Sequence, residues 1–334
     1  MKKYIIRILL LICIVVSIYY CDILLSIKTT HGIKQAKYMY DQPKNTIDVV
    51  MLGSSHIHCD INTALLWEDY GIASYDYSAA EQPMWITYYY LKEICKTQQP
   101  KVAVIDLFGP ARFKENYQYD WLADNLQGVR FSYNKLMMMK DSIEIDKLSN
   151  YFPSFFQYHN RYNQLTDEDI NELSISKKER ASFKGYTPYF EQSAQTEPEI
   201  VPVGSGGITP KSEIYLLKII EYCNEHNIKL FFIVTPYITN DEDELVYNRI
   251  KEIAEDEGVE FNSTNYDYSE MGLDFSTDFN DPSHLNYIGS CKFTKYLADE
   301  LLQRYDLPDH RGDIRYRSWE DHCESIKELV NANS

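Results

Sequence analysis

Ile47-Asp48-Val49-Val50-Met51-Leu52-Gly53-Ser54-Ser55-His56 is the stretch that decides the fold. Its consecutive apolar residues suit a strand covered on both faces, and the glycine and serines that stop it let the chain turn sharply. Two more runs read the same way, residues 101–107 ahead of Gly109-Pro110 and residues 228–234 ahead of Thr235-Pro236. Between and after them, residues 84–96, 211–227, 241–257 and 285–302 carry apolar positions at the helical period. Gly258 stops the third helix before a short strand, Val259-Glu260-Phe261. Strands alternating with helices predict an α/β fold with a doubly wound open parallel sheet. In such sheets ligands sit beyond the carboxyl ends of the strands, so the loops after Leu52, Leu107 and Val234 are expected to converge on one site.

The chain has 334 residues and a net charge of −17, a surface that would repel a polyphosphate, so nucleic acid is not expected as a partner. The charge is uneven. Residues 1–45 hold seven Lys/Arg against two Asp/Glu, leaving a net of −22 for the rest. Within this basic head, residues 8–27 form an apolar run about as long as a hydrocarbon core is thick. Lys2, Lys3 and Arg7 precede it, predicting a cytoplasmic N-terminus and an extracytoplasmic body. No small-x-small pattern near its end marks a cleavage site, and the run is read as an uncleaved signal-anchor in the cell membrane. The expected organisation is a stub and transmembrane helix over 1–30, a linker over 31–45, a body over 46–304 and a tail over 305–334.

Residues 111–209 break the strand and helix rhythm and are rich in Tyr and Phe, as in 151–156 and Tyr158-His159-Asn160-Arg161-Tyr162. They are read as an inserted cap over the strand ends, with His159, Asn160 and Arg161 as candidate substrate contacts. The body's five cysteines are odd in number and show no Cys-x-x-Cys spacing, which argues against a disulfide framework or a zinc site.

Two segments can carry chemistry. Gly53-Ser54-Ser55-His56 presents hydroxyls at a strand's carboxyl end, beside the amides of a helix start. Asp281-Pro282-Ser283-His284 places a carboxylate three residues before a histidine, close enough to hold one imidazole nitrogen and leave the other for a serine. Each has a plainer reading, as turn chemistry and as a helix cap. His56, His58 and Asp60 would share a face if their segment were extended, but no third ligand motif accompanies them, so neither metal nor cofactor is expected.

Taken together, the two segments resemble the SGNH/GDSL hydrolase superfamily. The likeness is to its membrane-anchored extracytoplasmic branch, which includes alginate O-acetyltransferase-like and teichoic-acid D-alanylation-type proteins. It covers roughly residues 45–108 and 210–304. It implies a three-layer α/β/α, flavodoxin-like sheet, with Ser55 as nucleophile, His284 as base and Asp281 as its orienting acid. Ser54 stands where the family has Asp. The family's second block supplies a glycine amide, yet residues 74–82 contain no Gly, leaving the amides of Ala80 or Glu81. Its third block supplies an Asn, and Asp106-Leu107-Phe108-Gly109-Pro110 has none, leaving Arg112, Asn160 or Arg161 as substitutes. The implied activity is that of a serine esterase or O-acyltransferase acting, through an acyl-serine, on an acylated envelope glycan or glycopolymer. An integral-membrane acyltransferase is a further partner of such proteins. The alternative is a catalytically degenerate binding subunit of a polysaccharide-modification or export complex.

Overall fold

The computed structural model describes residues 2–151, 158–199, 204–266 and 268–333, so residues 152–156 of the aromatic run lie outside it. Five strands, β1 (Val49–Leu52), β2 (Ser74–Asp76), β3 (Val102–Asp106), β4 (Lys229–Val234) and β5 (Glu260–Ser263), form one sheet in the order 2-1-3-4-5. Every pairing is parallel. This is the strand order of flavodoxin-like doubly wound folds, whose order reverses between β1 and β3.

Side chains alternate between two helical layers. Val50, Leu52, Ala103, Ile105 and Phe232 pack with the layer containing helices Met84–Ile94, Pro210–Glu225 and Asp241–Glu257. Val49, Met51, Val104, Phe231 and Ile233 pack with the layer containing Ser55–Asp60 and Tyr287–Arg304. Each long helix predicted from periodicity is present. Tyr287–Arg304 starts two residues later than expected because Asn286 caps it, its side chain accepting the amides of Ile288 and Gly289. Strand β2 and helix Thr63–Tyr70 are too short to carry a periodic signal.

The cap between β3 and β4 is a set of short helices among its described residues, returning through an extended arm that crosses the strand ends. The arm is tied down by backbone bonds. The Thr187 amide donates to the His58 carbonyl at 2.6 Å, the Tyr287 amide to the Tyr189 carbonyl at 2.7 Å and the Ser193 amide to the Phe279 carbonyl at 2.8 Å. The expected linker is not a free one. Residues 33–39 form a helix whose Ala36 and Met39 are fully buried, and Tyr75 donates to the Gln35 carbonyl at 2.8 Å. Likewise the tail ends in helix Arg317–Asn333, with Trp319 wholly buried and its indole N–H on the Ser74 carbonyl at 3.2 Å.

At the N-terminus, helix Lys2–Leu25 is long and apolar enough to span a membrane.

Trp319→Ala should cost about 3–5 kcal/mol, as expected for deleting a buried indole. Urea unfolding checks this, and a change within about 0.5 kcal/mol would mean that the tail is peripheral.

Candidate active site

The loops after β1, β3 and β4 do converge. Gly53, with φ of +142°, turns the chain where a Cβ would sit 2.6 Å from the Asp106 Cβ, a conformation and a spacing that only glycine accepts. Ser54 follows as N-cap of the short helix Ser55–Asp60, its Oγ accepting the His56 amide at 3.3 Å. That same hydroxyl donates to Asp106 Oδ2 at 2.6 Å, and the Ser54 amide donates to the same oxygen at 3.2 Å. Asp106 Oδ1 in turn accepts the Phe108 amide at 3.1 Å. Burial pushes the Asp106 carboxyl up to about 6, against the opposing effect of these bonds. Ser54 is therefore buried and fully engaged, whereas Ser55 reaches the surface.

Ser55 Oγ lies 2.8 Å from His284 Nε2, although the two are 229 residues apart in the chain. The other ring nitrogen, Nδ1, lies 3.0 Å from each Asp281 carboxylate oxygen. Asp281 also accepts the Ser283 amide at 2.8 Å, the His284 amide at 3.0 Å and the Asn280 side-chain amide at 2.9 Å. Half-burial alone would raise the Asp281 carboxyl. The bond to His284, its charge and the other donors outweigh this and hold the group well below the ordinary carboxylate range. An ionised Asp281 keeps the proton of His284 on Nδ1 and leaves Nε2 with a lone pair facing Ser55, the arrangement that activates a serine hydroxyl.

Further residues shape the site without a motif to announce them. Asp60 accepts the Leu285 amide at 2.9 Å and so fixes the residue after His284. Thr235, after β4, lies 2.8 Å from His56 Nδ1, and Phe108 stacks on the His56 ring at 4.0 Å. One wall near His284 is aromatic. Tyr189 of the cap arm meets the His284 ring at 5.5 Å, His31 lies 6.2 Å from Tyr189, and Trp121 lies 5.9 Å from His31.

The metal reading of His56, His58 and Asp60 assumed an extended segment. Residues 55–60 are helical, so the three do not share a face. His58 meets His31 instead, with His31 Nδ1 at 3.3 Å from His58 Nε2 and Ser78 Oγ at 2.9 Å from His58 Nδ1. Ligand-type atoms of His31, His58 and Cys59 lie within 4.8 Å of one another. Both ring nitrogens of His58 are thereby engaged, and Cys59 is hydrogen-bonded to Tyr189.

The oxyanion candidates fare unevenly. Ser55 is the first residue of its helix, so its amide has no intrahelical acceptor. The Ala80 amide is taken by the His31 carbonyl at 2.8 Å. Glu81 has a positive φ of 48°, and its carboxylate accepts the Gln118 side chain at 2.7 Å. Arg112 is paired with Asp243 at 2.9 Å. Arg161 is also committed elsewhere, donating to the Leu25 carbonyl at 2.6 Å and to Asp169 at 3.1 Å. His159 and Asn160 are exposed on the same turn, which contacts the first helix.

No protein-family model and no curated protein matches the chain. Among solved structures, that of a proposed acylhydrolase from Bacteroides fragilis aligns at 11% identity with a TM-score of 0.39, covering 82% of this chain and 99% of that one.

Asp106 predicts a pH dependence of stability. Its folded value of about 6 exceeds the ordinary aspartate value, so between roughly pH 4 and 6 the folded chain holds a proton that the unfolded chain has released. Stability from this group therefore falls as pH rises through that window, by about 3 kcal/mol at most. In Asp106→Asn the fall should vanish, so the wild-type minus variant difference in urea-unfolding free energy should shift by about 2–3 kcal/mol from pH 4 to 6.5. A difference that stays constant with pH would contradict it.

Proposed function

We propose that the protein is a membrane-anchored serine esterase or O-acyltransferase of the SGNH type, acting on acyl groups of an extracytoplasmic envelope glycan. The observation that carries this reading is the unbroken line from Ser55 Oγ through His284 to Asp281, with every link at 2.8–3.0 Å. In the proposed reaction, Ser55 Oγ attacks the acyl carbonyl carbon while His284 Nε2 takes the hydroxyl proton, and Asp281 stabilises the imidazolium. The carbonyl π bond opens to a tetrahedral oxyanion facing the Ser55 amide. Collapse breaks the bond to the leaving alcohol, which receives the proton from His284. The acyl-Ser55 ester is then attacked by water in an esterase, or by a sugar hydroxyl in a transferase. His284 takes the nucleophile's proton and returns it to Ser55 as the second tetrahedral intermediate collapses. The aromatic wall of Tyr189, His31 and Trp121 suits a sugar or acyl surface laid against it.

A binding subunit that keeps the fold without turnover is the second reading. It is favoured by the engagement of the Ala80 amide and Arg112, since one missing oxyanion donor costs about 3 kcal/mol of barrier.

The two readings part on labelling. Exposure of the full chain to a fluorophosphonate, followed by intact-mass spectrometry, should give one adduct in wild type and Ser54→Ala, and none in Ser55→Ala or His284→Ala. Turnover of an activated acetyl ester should fall on the order of 10⁴-fold in Ser55→Ala. Ser54→Ala removes a helix cap and the hydroxyl's bond to the buried Asp106 carboxylate, and should cost about 2–4 kcal/mol of stability while leaving labelling in place, since Gly53 and the amide of residue 54 still hold the turn on Asp106. A folded wild-type chain that takes no adduct would overturn the esterase reading and leave the binding reading.

A further inference from the structure

The first helix changes character abruptly along its length. Residues 3–21 are exposed all round, residues 22–24 are half-buried and Leu25 is buried against the rest of the chain. Nineteen helical residues span about 28 Å, close to one hydrocarbon core. Tyr19 and Tyr20 occupy the last exposed turn, the depth at which aromatic side chains favour the membrane interface. The turn that would emerge from lipid is therefore the turn that the cap encloses, and no stalk separates the two.

The cap grips that turn from several directions. Arg161 holds the Leu25 carbonyl, Lys28 pairs with Asp169 at 2.8 Å, and Lys135 lies within range of the Asp22 charge. The elements supplying these contacts also present large side chains outward: Tyr133 and Tyr162 are each 71% exposed and Ile170 is 56% exposed. On elements that grip the helix where it would leave the lipid, such side chains suit the headgroup layer. His31 follows Leu25 by six residues, a reach of at most about 20 Å, and stands beside Tyr189 and His284.

We propose that the cap is seated in the membrane interface by Tyr133, Tyr162 and Ile170, holding the domain flush on the lipid surface with the mouth of the Ser55 site beside the bilayer. The seating rests on the first helix spanning the membrane, and the substrate it favours rests in addition on the acyl-transfer reading of Ser55. The substrate it favours is an acyl donor or acceptor carried on a membrane lipid, which reaches the site without leaving the surface.

The test uses the full chain in phospholipid nanodiscs, carrying a single environment-sensitive fluorophore on an introduced cysteine in a background where the exposed and partly exposed Cys13, Cys21, Cys95 and Cys291 are replaced by serine and the buried Cys59, Cys223 and Cys323 are kept. Label positions are 133, 162 and 170, with 19 as the membrane reference and 314 as the aqueous one. Ile314 is 76% exposed, close to where His310 meets Asp48 at the amino ends of the strands, the opposite edge from the site. Labels at 133, 162 and 170 should show blue-shifted emission, quenching by a headgroup-nitroxide lipid and protection from iodide, while position 314 shows the reverse. If position 19 is quenched by lipid but the cap positions behave like 314, the seating is overturned and the anchor stands. If position 19 also behaves like 314, the anchor reading fails and the seating fails with it.

Discussion

A single buried carboxylate organises the end of the sheet where the site lies. Asp106, the last residue of β3, receives the hydroxyl and the amide of Ser54 and the amide of Phe108, so it ties the turn after β1 to the turn after β3. Gly53 allows the two backbones to approach closely enough for this to happen. The outcome is directional. Ser54 is pinned downward as a cap, which leaves Ser55, one residue on, facing His284 at the surface. Because β1 and β3 flank the point where strand order reverses, the position at which an open α/β sheet receives its ligand also holds the Ser55 hydroxyl.

The remaining parts of the site are brought in from far along the chain and rest on that end of the sheet. The loop after Phe279 supplies Asp281 and His284, steadied by Asp60 of the helix that begins at Ser55. The cap arm supplies Tyr189, and the segment following the first helix supplies His31, whose carbonyl also occupies the Ala80 amide. The first helix, the cap and the Ser55–His284–Asp281 line are thus packed as one unit: the chain that leaves the apolar helix becomes part of the pocket wall within six residues.

Much of this was legible in the sequence because it depends on local pattern. The three long buried strands end in small residues, and the long helices repeat at 3.6, so the layer architecture and the converging loops could be read directly. Turn chemistry and short spacing marked the two segments as candidates, and the superfamily resemblance implied the pairing of Ser55 with His284 and Asp281, whose side chains lie within hydrogen-bond distance of one another. What escaped depends on distant contacts. The partnership of Asp106 with Ser54, the approach of His31 to His58, and the burial of Trp319 under β2 leave no periodic trace. The shared face that His56, His58 and Asp60 would have on an extended segment does not form, for a local reason. Ser54 caps a helix there, and a helix turns successive even-numbered residues onto different sides.

The central claim is that acyl groups pass through Ser55, and peptide mapping after a rapid acid quench tests it most directly. The full chain would be mixed with an activated acetyl ester, quenched within one turnover and digested. The account predicts a hydroxylamine-labile acetyl group on the peptide containing Ser55, localised to that residue by fragmentation and missing from His284→Ala. Turnover of the ester with no acetyl on Ser55, or with the group on another side chain, would contradict it.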